Sequence, residues 1–239
     1  MFNNYTGVPA QNFSELGLSG TFAAVLRRVY FWMMLGLLLT AGTAAFISGS
    51  PLFQALVGQP LLFFVLMIAE LGLVIWISRG INHLAPATAA LLFFLYAALN
   101  GVTFSVLFVV YTLGSVAHTF LATAALFGTM SIIGYTTKMD LSKLGSFLFM
   151  GLIGLIIAMI VNIFWTNTVL GWIVTFVGIL LFLGLTIYDT QRIKRMTAAA
   201  LQQGDEDVQA RMGILGALAL YLDFINLFLF ILRIGGQRR

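Results

Sequence analysis

The sequence contains no cysteine and only two histidines. Without cysteine the chain has no disulfides, no thiolate nucleophile and no cysteine metal site, although this absence does not identify the compartment. The histidines, His83 and His118, belong to no HExxH motif, and the chain has neither a GxSxG motif nor a Walker-type loop. We therefore predict that the protein is not an enzyme and that it has no cofactor.

Charged residues are also scarce. They make up 8% of the 239 residues, whereas an ordinary soluble domain has about 25%. Hydrophobic residues make up 61%, which leaves too little polar surface to cover a water-soluble globule. This composition predicts a membrane protein, and because the alternating pattern of a membrane barrel is absent, the spanning segments are expected to be helices.

Long apolar runs divide the chain into spanning segments. A helix needs about 20 residues to cross the hydrocarbon core, and seven runs are long enough. We predict an all-α, polytopic membrane protein with seven transmembrane helices in one domain, residues 29–239, preceded by an N-terminal tail or interfacial segment, residues 1–28. The seven predicted spans are residues 29–48, 61–78, 87–111, 116–134, 144–165, 170–190 and 213–234.

The distribution of cations predicts the orientation. Nine of the twelve Lys and Arg residues fall on one side of the predicted bundle, which the positive-inside rule makes cytoplasmic together with the N-terminus. The basic C-terminal residues disagree, so the last segment either crosses or re-enters the membrane, and its length favours crossing. Topology and anionic lipid headgroups account for these cations, and no nucleic-acid partner is expected.

Three acidic residues lie inside the predicted spans: Glu70, Asp189 and Asp223. A carboxylate at the centre of a membrane helix costs about 2.5–3.5 kcal/mol on insertion scales, so such residues usually face an interior cavity, pair with another group or hold a proton. A purely structural explanation for Asp189 is an ion pair with Arg192 on the next helical turn. For Asp223 and Glu70 the structural explanation is that each is protonated and forms a hydrogen bond to a neighbouring helix.

The functional alternative is an ion or proton path. Two carboxylates brought close together in a bundle of low dielectric constant cannot easily both ionise, so they would share one proton. Such a pair would sense pH and could also serve as a transient calcium ligand, since calcium prefers oxygen donors. Arg79, at the cytoplasmic end of the second predicted helix, is the candidate counter-charge for the aspartates. The positive-inside rule alone would also explain a basic residue at this helix end.

Four further polar residues are candidates for lining such a path: Asn100, Thr103, Asn162 and Asn226. Asn100 and Thr103 share one face of the third predicted helix with Tyr96, because the three are spaced by one or two turns. Hydrogen bonds between helices would explain all four residues nearly as well as a water path does.

Three stretches of the sequence carry a resemblance to a known family. They are "GYTTKMDLS" at residues 134–142, "LTIYDTQRIK" at 185–194 and "LALYLDFINLFLFILR" at 218–233. With these motifs the chain resembles the Bax inhibitor-1 family of multipass membrane proteins, and in particular its bacterial members. The resemblance implies a seven-helix fold in which helix 7 is central and is wrapped by helices 1–3 and 4–6.

The resemblance also implies a function: a pH-sensitive calcium leak in the bacterial inner membrane. The resemblance places Asp189 and Asp223 at the positions of a pH-sensing aspartate pair. It places Arg79 at the position of an arginine latch from helix 2. Glu70 matches an acidic position of helix 2. The expected partners are lipid, calcium and protons. Two other functions stay open. One is a regulatory protein that binds and modulates a membrane-bound protease, since some bacterial relatives are associated with control of such a protease. The other is a proton-coupled transporter of a small solute.

The aspartate pair makes a geometric demand on the structure. Asp223 lies ten residues into predicted helix 7, or about 15 Å along it, whereas Asp189 lies close to the predicted end of helix 6. The two can meet only if helix 6 ends deep in the membrane or helix 7 begins above its surface.

Overall fold

A computed structural model describes residues 19–203 and 205–238, with side chains for residues 24–201 and 205–238. Within these ranges the regular elements are all α-helices, which confirms the predicted fold class. In chain order they are α1 (Ser19–Ser48), α2 (Pro51–Gly58), α3 (Pro60–Gly80), α4 (Pro86–Phe104), α5 (Leu107–Val110), α6 (Leu113–Thr136), α7 (Ser142–Phe164), α8 (Thr168–Gln203) and α9 (Glu206–Gly235).

The described residues contain seven segments long and apolar enough to cross a membrane, as predicted. α4 and α5 together form one of them, and α2 forms none. The last span is the most buried: 67% of its most apolar stretch lies inside the protein, against 6% for Pro60–Gly80. Its central place among the other helices stays a prediction.

Helix ends differ from the predicted spans where polar residues continue a helix. α1 begins at Ser19 rather than at residue 29, so the predicted N-terminal segment is helical from Ser19; residues 1–18 lie outside the described residues. α8 continues to Gln203, past the predicted end at residue 190, and α9 begins at Glu206 rather than at residue 213. The added residues are mostly Arg, Lys, Ala, Gln and Met, which favour helix without being apolar.

α9 also bears on the direction of the last segment. It runs unbroken for 30 residues, or about 45 Å, which exceeds the hydrocarbon thickness of about 30 Å. A re-entrant segment needs a break in the helix, and α9 has none between Glu206 and Gly235. This favours the predicted crossing.

The chain forms two compact units. The first contains the described residues up to Thr112 together with Arg195–Tyr221 and Arg238. Within it α1 and α4 pack closely, because a Cβ added at Gly101 would lie 2.6 Å from the carbonyl oxygen of Thr40. Arg211 of α9 donates to the carbonyl oxygens of Asn82 (3.2 Å) and Leu84 (3.4 Å), and so holds the connection between α3 and α4.

The second unit contains Leu113–Lys194 and Leu222–Gln237, that is α6, α7 and parts of α8 and α9. In this unit α8 and α9 run antiparallel. Gly171 lies next to Arg233, and Gly178, two turns later on α8, lies next to Phe230, which precedes Arg233 on α9. This antiparallel packing determines which residues of the two helices face each other.

Candidate functional site

Asp189 lies in the interior of α8, fourteen residues before Gln203, and not near a helix end. Its side chain is 13% exposed. Asp189 Oδ1 lies 3.5 Å from Arg192 Nη1, one turn further along the helix, and the Arg192 side chain is 38% exposed. The ion pair considered from the sequence alone is therefore present, within the second unit.

Asp223 is more deeply buried, with 4% of its surface exposed. Its Oδ2 atom has no hydrogen-bond partner among the described residues. The charges that act on its carboxyl group are those of Asp189 and Arg192, so the structure brings the two aspartates within electrostatic reach of each other. With both carboxyl groups ionised, the three side chains would carry one net negative charge.

The register of α8 and α9 explains this proximity. The rings of Phe182 and Phe230 are in contact, with centroids 5.9 Å apart. Asp189 is seven residues after Phe182, and Asp223 is seven residues before Phe230. Because the helices are antiparallel and seven residues make about two turns, both aspartates lie two turns from this ring contact, at the same level and on the facing sides.

The mismatch expected from the sequence nearly disappears because both helices extend beyond the predicted spans. Asp189 lies fourteen residues before the end of α8 at Gln203, about 21 Å along the axis, and Asp223 lies seventeen residues after the start of α9 at Glu206, about 26 Å. The two distances nearly match. The expected mismatch arose from placing the helix ends where the apolar run stops.

Two of the sequence motifs pack against each other beside Asp189. A Cβ added at Gly134 would lie 2.5 Å from the carbonyl oxygen of Ile187 and 3.0 Å from Cβ of Thr190, so glycine allows α6 to approach α8. The buried Gln191 side chain donates to the carbonyl oxygen of Met139 (2.7 Å) and accepts from the backbone N–H of Leu141 (3.1 Å). The motif at residues 134–142 thus supports the helix that carries Asp189.

The bonds of Gln191 lead to a prediction for the connection between α6 and α7. Gln191→Leu leaves two backbone groups of this connection without their partner, which costs about 1–3 kcal/mol locally. We expect faster tryptic cleavage after Lys138, measured by mass spectrometry of timed digests. Gln54→Leu, which replaces an exposed glutamine of α2, is the control. Equal cleavage rates for the two variants would show that Gln191 does not hold the connection.

Glu70 takes part in a second polar cluster, in the first unit. Although α3 is largely exposed, Glu70 is only 9% exposed, and its Oε1 accepts a hydrogen bond from Thr103 Oγ1. Asn100, one turn before Thr103, donates to the carbonyl oxygen of Tyr96 (3.0 Å). The structure therefore brings Glu70, Asn100, Thr103 and Tyr96 together on α3 and α4.

A buried hydroxyl pair in the same unit was not expected from the sequence. Thr40 Oγ1 lies 2.7 Å from the hydroxyl of Tyr221 and 2.8 Å from the carbonyl oxygen of Ala97. The ring of Tyr221 contacts those of Phe93 and Tyr96 edge to face, with centroids 5.7 and 5.9 Å away. These contacts fix α9 against α1 and α4 two residues before Asp223.

The remaining predicted site residues lie elsewhere. Arg79 is exposed in the last turn of α3, and its predicted latch role stays a prediction. Asn162 accepts from the backbone N–H of Asn167 (3.3 Å), at the connection between α7 and α8. Asn226 donates to the carbonyl oxygen of Leu222 in its own helix (2.8 Å). Neither asparagine bond bridges two spans.

The described residues contain no group of three or more His, Cys, Asp or Glu side chains that could hold a metal ion. A permanent metal centre needs more ligands than the two aspartates provide. Calcium takes six to eight oxygen ligands, so Asp189 and Asp223 would bind it only with help from neutral oxygens or water. The arrangement fits a transient cation site, and the ligand role of the aspartates stays a prediction.

Comparison with known proteins identifies the family. The family model described as "Inhibitor of apoptosis-promoting Bax1" matches residues 23–239, nearly the whole chain. The chain belongs to the Bax inhibitor-1 family. This membership confirms the resemblance that the three motifs indicated, and the matched region includes every candidate site residue.

Bacterial relatives align over most of their length. Inner membrane protein YbhL of Escherichia coli K12 is 47% identical over 215 residues, which cover 90% of this chain and 92% of YbhL. A Borreliella burgdorferi protein is 43% identical with the same coverage, and protein RP147 of Rickettsia prowazekii is 43% identical over 225 residues, 92% of this chain and 93% of its own. None of these three proteins is named as an enzyme.

Proposed function

We propose that this Bax inhibitor-1 family member is a pH-sensitive cation leak channel of the bacterial inner membrane, with calcium as the preferred ion. The observation that carries the proposal is the placement of Asp189 and Asp223 at one level of two antiparallel helices, both largely removed from water. The relative YbhL is named as an inner membrane protein, which supports the same location for this chain. The N-terminus and the basic connections face the cytoplasm.

The charges at this site explain why protons and cations would compete there. Two aspartates and Arg192 together leave one excess negative charge in a largely buried place, and such a charge is costly. A proton or a passing cation neutralises it. Protonation also weakens the attraction of Asp189 to Arg192, and this change shifts the balance between a closed and an open packing of the helices.

The proposal is tested by calcium flux into liposomes that contain the purified protein, recorded as a function of external pH. Flux that follows a titration curve and needs no second solute supports the leak. Flux that occurs only with a co-transported solute would indicate a proton-coupled transporter. Absence of flux at every pH, with co-purification of a membrane protease, would indicate a regulatory protein instead.

Arg192 provides a second test, because its cation favours the ionised form of both aspartates. Arg192→Gln makes proton binding easier, so the midpoint of the flux titration moves to higher pH. Since the Arg192 side chain is 38% exposed and water screens it, the interaction is worth less than about 1 kcal/mol and the shift of the midpoint is small. Lys143→Gln, at an exposed site on α7, leaves the midpoint unchanged. A midpoint that moves down, or equally in both variants, contradicts this role.

A further inference from the structure

Two buried polar atoms of the second unit lack a hydrogen-bond partner within the described part of the chain. Among the described residues, Ser131 Oγ and Asp223 Oδ2 are the buried side-chain atoms without a hydrogen-bond partner. Ser131 is 6% exposed. Buried polar groups are nearly always paired, so an unpaired one indicates a water molecule, an ion or a functional strain at that place. Both atoms are oxygens, and both lie in the same unit.

The packing of α6 brings the helix face that carries Ser131 against α9. Phe127, one turn before Ser131, packs its ring against Phe224, with centroids 5.4 Å apart. Phe224 directly follows Asp223. Ser131 and its neighbours Phe127 and Gly134 lie on one face of α6, because they are spaced by four and three residues.

On the other side of Ser131, one turn later, Gly134 packs against Ile187 and Thr190 of α8. These two residues lie on either side of Asp189 in the sequence. The face of α6 that carries Ser131 therefore meets α9 beside Asp223 and α8 beside Asp189. Ser131 is located between these two contacts.

The hydroxyl of Ser131 also differs from those of its neighbours on α6. Serine and threonine inside a helix commonly donate to the carbonyl oxygen one turn earlier. Thr123, Thr129 and Thr136 do so, each at 2.8 Å. Ser131 does not, although it has the same opportunity. Its hydroxyl is thus free to face the interior of the unit.

We propose that Ser131 is a third oxygen donor of the aspartate site and binds the same cation as Asp189 and Asp223. This inference rests on the proposed function, because it requires that the aspartate site binds a cation that prefers oxygen ligands. Two carboxylates supply at most four oxygens, and a neutral hydroxyl adds one without adding charge. The hydroxyl partly replaces the water that the cation loses on entering the bundle.

The test is calcium binding to the full-length protein in detergent, measured by isothermal titration calorimetry. Ser131→Ala weakens binding about tenfold, as expected for the loss of a partner in a metal site. Ser131→Thr keeps the hydroxyl and retains binding. The control is Thr123→Val, because Thr123 is a buried hydroxyl on the same helix that is already bonded to the carbonyl oxygen of Thr119. It leaves binding unchanged.

The outcomes separate this inference from the proposed function. Equal affinities for Ser131→Ala and Thr123→Val, or no binding by the wild-type protein at millimolar calcium, overturn the role of Ser131. Weaker binding by Ser131→Ala, in a protein that shows no calcium flux, overturns the leak channel but supports the site. Circular dichroism and size-exclusion profiles identical to those of the wild type show that each variant is folded.

Discussion

Replacing both aspartates with asparagine, Asp189→Asn with Asp223→Asn, removes the pH dependence of calcium flux in liposomes. Asparagine keeps the shape of the side chain but has no titratable group. If the aspartate pair is the sensor, flux through the double variant stays constant over the whole pH range in which flux through the wild type changes. Flux is measured with a calcium dye trapped in the liposomes.

The control for this experiment is a second pair of replacements, Asp205→Asn with Asp207→Asn. These aspartates are exposed near the start of α9, so their removal changes the net charge by the same amount without touching the site. The control keeps the pH profile of the wild type. A double variant at Asp189 and Asp223 that still titrates like the wild type would remove the aspartate pair from the mechanism.

Gly134→Ala gives the second large effect, on stability. The added methyl group would lie 2.5 Å from the carbonyl oxygen of Ile187 and 3.0 Å from Ile187 Cα. A backbone cannot rotate away as a side chain can, so α6 and α8 must separate. Overpacking of this kind costs about 1–3 kcal/mol, and we expect the upper part of that range. Thermal unfolding in detergent measures the loss.

Gly128→Ala is the matched control, on the same helix. No atom lies within 4 Å of the position of its added Cβ, and alanine favours helix more than glycine does. This variant therefore has the stability of the wild type or slightly more. Equal destabilisation by both replacements would mean that the close approach of α6 and α8 does not contribute to the fold.

Hydropathy alone predicts the number of membrane spans, because each crossing needs a long apolar run. It does not predict where the helices end. The polar continuation of α8 to Gln203 is helical through its Arg, Lys, Ala and Gln residues, which an apolar pattern does not detect. The short helix α2 was missed for a different reason, because its eight residues are too few to cross a membrane, although Pro51 at its first position is a common start signal.

The aspartates could be predicted because an acid inside an apolar run is conspicuous. Their supporting residues could not. Ser131 looks like any small residue of a membrane helix, and only its missing hydrogen bond distinguishes it. Gln191 lies in the motif at residues 185–194, but its partners on the α6–α7 connection are about 50 positions earlier in the sequence. Such long-range contacts depend on helix packing, which the local pattern does not specify.

The central claim is that positions 189 and 223 face each other across α8 and α9, and thiol cross-linking tests it most directly. The chain has no cysteine, so Asp189→Cys with Asp223→Cys introduces the only two thiols. The control pairs Asp189→Cys with Leu232→Cys, a buried position nine residues, or about 14 Å, further along α9. With a short bis-methanethiosulfonate reagent, followed by mass spectrometry of the remaining free thiols, the first pair is expected to link within one chain and the control pair to stay open. Equal linking of the two pairs, or linking of the control alone, would contradict the account.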